Sequence, residues 1–207
     1  MSKHKILIVE DEPVIAENVS LYLDNNDFEV SAIAYDSDDA IEQLKTHTPD
    51  AVILDINLES GKDGIDLAAF INQHYHLPFL FLTSYSDRNT LERAKQVKPA
   101  GYIVKPFNER TLLASLEIAI SNFTARQNHD LPKLSPDRIN AGLLSPLSER
   151  EFDVVQLVYE GMTNTQISET LFLSVNTVKS HLKNIHLKLD AASRLEVIRR
   201  LRELMMK

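Results

Sequence analysis

Two adjacent acids, Glu10 and Asp11, a third acid, Asp55, a hydroxyl at Thr83 and an amine at Lys105 each sit at the end of a short apolar run. Carboxylates brought together repel unless a hard divalent cation lies among them, and Mg²⁺ takes one or two carboxylates with carbonyls, waters and often a substrate phosphate. Lysine offers a compact cation to phosphate oxygens and threonine a hydroxyl donor. An aspartate held in such a place can attack a phosphoryl group and form an acyl phosphate. These residue types describe a site equipped to accept phosphate, with Asp55 as the acceptor.

Convergence requires the right elements between them. Apolar runs at 6–9, 30–34, 51–54, 79–82 and 102–104 are each followed by an amphipathic stretch, at 13–25, 37–46, 64–73, 88–96 and 109–122. Five βα alternations predict a parallel sheet covered by helices on both faces. The run Ala51-Val52-Ile53-Leu54 is continuously apolar, as a strand buried on both faces must be. In a right-handed parallel sheet the carboxyl ends of the strands share one edge, so the loops after strands one, three, four and five can meet.

Composition narrows the remaining classes. The chain has 207 residues and no cysteine, which excludes disulfides and thiolate metal sites and suits a reducing compartment. No apolar stretch reaches the roughly 20 residues of a membrane span, so a soluble, cytoplasmic protein without a membrane partner is expected. The net charge of −8 is unevenly spread. Residues 145–207 carry nine Lys and Arg against eight Asp and Glu, whereas residues 1–144 carry thirteen against twenty-two. The acidic part and the balanced part have different electrostatic tasks.

The balanced part reads as helices. Residues 123–146 contain Pro132, Pro136 and Pro146 without a sustained apolar period, and are expected to be a semi-rigid linker. Ser148 with Glu151 has capping-box spacing, Gly161 marks a helix end, and Thr163 to Gln166 opens a second helix. Ser174 can cap a third, in which Val178, Leu182, Ile185 and Leu189 form an apolar stripe. The opposite face holds Asn176, Lys179, Ser180 and Lys183, and no acid occurs from 174 to 189. Such a helix suits a DNA major groove, with Thr177 and backbone amides available to phosphates.

Five segments in order at strand ends resemble the receiver domain of two-component response regulators. They are Ile6-Leu7-Ile8-Val9-Glu10-Asp11-Glu12-Pro13, Leu54-Asp55-Ile56-Asn57, Asp63-Gly64, Thr83-Ser84 and Tyr102-Ile103-Val104-Lys105-Pro106-Phe107. The resemblance implies a flavodoxin-like, five-stranded, doubly wound α/β domain over residues 1–122. It implies Asp55 as phosphoacceptor, and a Mg²⁺ site of Asp11, Asp55, the Asn57 backbone carbonyl and, through water, Glu10. It further implies that Thr83 and Lys105 hold the phosphoryl oxygens and that Tyr102 changes rotamer as Thr83 moves inward. Two departures stand out: a loop after Asp55 one residue longer than the common version, and Glu10 where the first acid is often Asp.

Leu147-Ser148-Glu149-Arg150-Glu151, Gly161-Met162-Thr163-Asn164, Gln166-Ile167 and Ser174-Val175-Asn176-Thr177-Val178-Lys179-Ser180-His181 resemble the LuxR-type helix-turn-helix of the NarL/FixJ regulators. That resemblance implies a four-helix DNA-binding domain over 147–207, beyond the linker at 123–146. It sets Asn176, Thr177, Lys179, Ser180, His181 and Lys183 against operator DNA. A last helix from Ala191 to Met205 carries Val197, Ile198, Leu201, Leu204 and Met205 as a wide apolar stripe, which suits the core of a small domain. The resemblance implies that part of this helix, with Val197, Ile198, Leu201 and Leu204, makes a dimer contact. The expected whole is a transcription factor that a sensor histidine kinase phosphorylates, with phosphorylation favouring a homodimer on promoter half-sites.

Two alternatives stand beside it: a phosphorylation-controlled protein-binding switch with weak DNA binding, and an Asp-based phosphatase. A phosphatase of the haloacid dehalogenase type places a second aspartate where this chain has Asn57, so turnover catalysis is disfavoured and only slow self-dephosphorylation is expected.

Overall fold

A computed structural model of the chain describes residues 3–25, 27–58, 63–84, 88–128 and 133–206. The chain divides into two compact units, Lys5–Ile120 and Ser121–Lys207, the latter grouped with Met1–His4. Separate apolar clusters fill them.

In chain order the first part comprises β1 (His4–Val9), α1 (Pro13–Leu23), β2 (Phe28–Ala34), α2 (Ser37–Thr46), β3 (Ala51–Asp55) and α3 (Gly64–His74). β4 (Phe79–Thr83), α4 (Arg88–Gln96), β5 (Gly101–Val104) and α5 (Glu109–Asn128) follow. The parallel sheet has the order β2-β1-β3-β4-β5. All five residues of β3 and of β4 are buried, because helices cover both faces, whereas the edge strands β2 and β5 are only partly covered. Burying side chains such as Ile6, Ile53 and Leu80 contributes about 1.5–3 kcal/mol each.

Pairing then fixes where the strands end. Val9 lies opposite Leu54, Asp55 opposite Leu82, and Thr83 opposite Val104. Glu10, Asp55, Thr83 and Lys105 therefore leave the sheet along one edge.

The helices that follow start on local signals. The Asp36 side chain accepts from the amides of Asp38 and Asp39 at 2.9 and 2.8 Å, and Asp63 accepts from Asp66 N at 2.9 Å. Both cap helices and place a negative charge at the favourable end of the dipole. α1 opens on Pro13 instead, and Glu12 makes no side-chain capping bond.

The second unit holds α6 (Pro136–Ala141), α7 (Glu149–Tyr159), α8 (Asn164–Leu171), α9 (Val175–Leu189) and α10 (Arg194–Met206). Ser148 with Glu151 and Thr163 with Gln166 form complete capping boxes, and Gly161 ends α7 at φ +85°. That φ favours glycine, which has no Cβ to clash. Val178, Leu182, Ile185 and Leu189 are buried as one stripe of α9.

Residues 123–146, expected to be a semi-rigid linker, include helical segments among the described residues. α5 continues to Asn128, and α6 forms with Pro136 in its first turn and Ser135 as cap. Ile139 is fully buried in the second core, with Leu134 and Leu143 packed against it. Proline is compatible with a helix start, and a single turn is too short to display a period. The last helix likewise begins at Arg194 rather than Ala191, because Ser193 Oγ accepts from Glu196 N at 3.2 Å and the Glu196 carboxylate accepts from Ala192 N at 2.8 Å.

Candidate functional site

At the common strand edge, Glu10, Asp11 and Asp55 each place a carboxylate oxygen within 4.8 Å of the others. Glu10 and Asp55 are buried and Asp11 is half-buried. β1 and β3 deliver them: the Glu10 amide donates to Ala34 O at 3.0 Å, and Asp55 is the last residue of β3.

Lys105, next after β5, joins them. Its Nζ donates to Asp55 Oδ2 at 2.7 Å and to Glu10 Oε1 at 2.8 Å. Glu10 Oε2 is also 2.8 Å from this nitrogen, yet it is buried and accepts no well-aligned hydrogen bond. The other Asp55 oxygen, Oδ1, accepts from Asn57 N at 3.1 Å. Thr83 is buried at the end of β4, and its carbonyl accepts from Lys105 N at 2.8 Å, tying the two phosphate-directed residues together.

Electrostatics follow from this crowding. Burial pushes the Glu10 carboxyl up to about 7, with the Lys105 hydrogen bond pulling against it and the Asp55 charge adding to it. Burial disfavours the Lys105 cation, but hydrogen bonds to Asp55 and Glu10 outweigh that and hold its pKa above the ordinary lysine value. Three carboxylates facing one ammonium leave negative charge in excess. A Mg²⁺ ion holds oxygens at about 2.1 Å, so its ligands lie at most about 4.2 Å apart. Carboxylate oxygens within 4.8 Å reach that geometry by sub-ångström shifts. The residues fit such an ion.

Gly64 shapes the acceptor from behind. Its amide donates to Ile56 O at 3.0 Å, and a Cβ added there would fall on the carbonyl oxygen of Asp55. The sequence marked Gly64 as a turn signal and family motif; its backbone contact with Asp55 arises only from folding. The Asp63–Arg93 ion pair, 2.7 Å, joining the cap of α3 to the last turn of α4, carries no signal in the sequence.

Tyr102 stands apart from the carboxylate cluster. Its side chain is 39% exposed, on β5, with its ring 5.9 Å from that of Phe81. The lengthened loop after Asp55 runs through 59–62, outside the described residues.

In the second unit, Ser174 Oγ accepts from Thr177 N at 3.0 Å and lies 2.8 Å from Thr177 Oγ1. This fixes the start of α9. Asn176, Ser180 and Lys183 are exposed, and Thr177, Lys179 and His181 are half-buried beside them. The Ser180 hydroxyl donates to Asn176 O at 3.0 Å. α8 and α9 are joined through Phe172, which takes the left-handed conformation at φ 55°, and Arg150 donates to Leu171 O at 2.9 Å.

Two basic residues of this part have structural employment. Lys188 Nζ donates to Glu151 Oε2 and to Pro146 O, each at 2.7 Å, binding the end of α9 to the start of α7. Arg194 is buried and donates to Asn164 Oδ1 at 3.2 Å and to Met162 O, anchoring α10 against the start of α8.

The residues expected at a dimer contact, Val197, Ile198, Leu201 and Leu204, lie on α10. Val197, Ile198 and Leu201 are buried in the core of their own unit, and Leu204 is packed at its margin. A domain this small spends the apolar stripe of its last helix on its own interior.

Residues 6–117 match the family described as "Response regulator receiver domain", and residues 145–201 match "Bacterial regulatory proteins, luxR family". The chain is 30% identical over 208 residues to the oxygen regulatory protein NreC of Staphylococcus haemolyticus, covering 94% of each. It is 31% identical over 202 residues to the Fimbriae Z protein of Salmonella typhimurium, covering 96% of each. Among solved structures, the signal receiver domain of a modulated diguanylate cyclase from Desulfovibrio desulfuricans G20 superposes with a TM-score of 0.57 at 32% identity, over 60% of this chain and 99% of that one. With both domain matches and relatives aligned along nearly its whole length, the chain belongs to the response regulators of the NarL/FixJ type, a receiver followed by a LuxR-type helix-turn-helix DNA-binding domain.

Proposed function

We propose that a sensor histidine kinase phosphorylates Asp55, and that this controls dimerisation and sequence-specific DNA binding through α9. The observation that carries the reading is the meeting of Glu10, Asp11, Asp55 and Lys105 at one sheet edge. In this reading residues 1–122 act as receiver and 147–207 as DNA reader, connected through 123–146.

Asp55 Oδ attacks the phosphorus of a phosphohistidine. The phosphorus–nitrogen bond breaks, and the imidazole nitrogen leaves with the electron pair and takes up a proton. Lys105 follows the phosphoryl oxygens, exchanging its present bond to Asp55 for one to phosphate, and the Thr83 hydroxyl donates to another oxygen. Asp11, Asp55 and the Asn57 carbonyl would hold a Mg²⁺ ion, with Glu10 reaching it through water. Bound there, the ion supplies charge neutralisation for an acid attacking an anionic phosphoryl group. Movement of Thr83 inward leaves room for Tyr102, exposed on β5, to turn inward after it.

The product is an acyl phosphate that the chain itself hydrolyses slowly, so the protein is a switch and not a turnover enzyme. Differential stabilisation of one conformation by a few kcal/mol is enough to move the population. Reading DNA assigns the chain to the cytoplasm, and no helix among the described residues is long and apolar enough to cross a membrane.

The test is labelling with acetyl phosphate and Mg²⁺, followed by DNA footprinting. Wild type takes one phosphoryl group and protects a symmetric site more strongly, whereas Asp55→Asn does neither. Equal labelling of Asp55→Asn would show another acceptor.

A further inference from the structure

We infer that the ring of Phe172, in the turn between α8 and α9, packs against the sugar backbone of bound DNA. This contact rests on the DNA-reading role proposed for α9 above, and it adds an apolar element that phosphate and base recognition do not supply.

Phe172 follows the last residue of α8 with φ 55° and ψ 45°. This left-handed conformation brings Cβ close to the following carbonyl, and a bulky side chain is rarely found in it. Among the described residues of the second unit, the other positive-φ positions hold Gly161 and Asp190, residue types that adopt it more readily. The turn itself requires the conformation. The amides of Phe172 and Leu173 donate to Glu169 O at 3.4 Å and to Ser168 O at 2.9 Å, and Arg150 donates to Leu171 O at 2.9 Å. Leu171 and Leu173 pack on the core on either side. None of these bonds requires a phenylalanine at the middle position.

Nor does the fold use the ring. Phe172 is 94% exposed, so its apolar surface stays in water and contributes nothing to the core. An exposed apolar residue is ordinary by itself. A bulky one held outside at a left-handed φ combines two unfavourable features with no return inside the domain, and strain of that kind points to a role outside it.

The occupant follows from position. Phe172 lies two residues before Ser174, the cap of α9, and the N-terminal part of a reading helix is the part that enters the major groove. The chain leading into such a helix passes the wall of the groove, which is made of sugars and phosphates. No acid occurs from Thr170 to Leu189, so neither the rest of the turn nor the helix after it brings a negative side chain to that wall. A phenyl ring has no hydrogen-bonding group, and of the two components of the wall the deoxyribose is the apolar one. The ring covers the sugar while Thr177, Lys179 and Lys183 meet phosphates and bases.

The experiment uses the full chain with acetyl phosphate and Mg²⁺, and a duplex that the wild type selects from random sequences. Phe172→Asn keeps a residue suited to positive φ, and Phe172→Tyr keeps the ring. Phe172→Asn is expected to melt no lower than wild type yet to bind the duplex about tenfold more weakly, as loss of roughly half the burial of a phenylalanine implies. Its slope of log K against log salt and its ranking of single-base variants of the duplex stay those of wild type, since no phosphate and no base loses a partner. Phe172→Tyr binds as wild type does. A Phe172→Asn chain that binds as tightly as wild type overturns the contact and leaves DNA reading by α9 in place; if it then fails to activate transcription from a promoter carrying the selected site, the ring faces the polymerase instead. Weaker binding matched by a lower melting temperature makes the ring a structural element and also overturns the contact. If the wild type selects no duplex, the DNA-reading role falls and the contact with it.

Discussion

Lys105 and Asp55 are fifty residues apart in the chain, yet Nζ of one donates to Oδ2 of the other at 2.7 Å. The bond holds a cation against the phosphoacceptor before any phosphate arrives. Lys105→Ala should slow labelling by acetyl phosphate roughly tenfold or more, a loss of about 1.4 kcal/mol or more of transition-state stabilisation. Because a cation that competes for Glu10 and Asp55 is gone, Mg²⁺ should bind the variant more tightly by calorimetry. Unchanged labelling and unchanged metal affinity together would remove Lys105 from the site.

Gly64 approaches the Asp55 carbonyl so closely that a methyl group has no space. Gly64→Ala must push α3 away from β3, which costs about 1–3 kcal/mol for overpacking against backbone. In a domain of this size that lowers the melting temperature of the first unit by roughly 4 °C or more. A variant that melts with wild type would show that the close approach is absent in solution.

Glu151 and Lys188 bind α7 to α9 at 2.7 Å. Burial opposes the Glu151 charge, but hydrogen bonds from Lys188 and from Ser148 outweigh it, leaving its pKa below the ordinary 4.5. A carboxyl depressed on folding stabilises the fold above its unfolded pKa and ceases to do so as pH falls through its folded pKa. Urea unfolding of the second unit should therefore lose stability on going from pH 6 to below pH 4.5. Lys188→Met should lose about 1–2 kcal/mol at pH 7 and become less sensitive to acid. A pH slope identical to wild type would contradict the pairing.

Lys183 is exposed and Lys179 half-buried on the face of α9 opposite its core stripe. If they neutralise phosphates, Lys179→Ala/Lys183→Ala should weaken DNA binding and reduce the slope of log K against log salt by about one for each phosphate left without its lysine. Lys188→Met should leave that slope unchanged, since this lysine is engaged with Glu151 and Pro146. A double variant with unaltered salt dependence would favour the protein-binding alternative.

What could be read in the chain was whatever local chemistry writes into it. Apolar runs of four or five residues define strands, Ser148 with Glu151 defines a helix start, and the four-three-four spacing from Val178 to Leu189 defines the buried side of α9. The βα order, with the right-handed crossover, brings the ends of β1, β3, β4 and β5 to one edge, so Glu10, Asp11, Asp55, Thr83 and Lys105 could be named as one group.

Tertiary packing decided what the rest was for. Val197, Ile198 and Leu201 look equally suited to a core or an interface, because apolar periodicity records burial without recording what does the burying. Lys188 resembles its exposed neighbours until Glu151 and Pro146 are found against it. α6 was hidden by its prolines and its length, and Ile139 is assigned to a core only once α10 is there to cover it. The sequence by itself determined the elements, the acids and the amine of the site, and the reading helix. Which residues are spent on holding them, and where a free surface is left, was decided by packing between residues far apart in the chain, which no local pattern encodes.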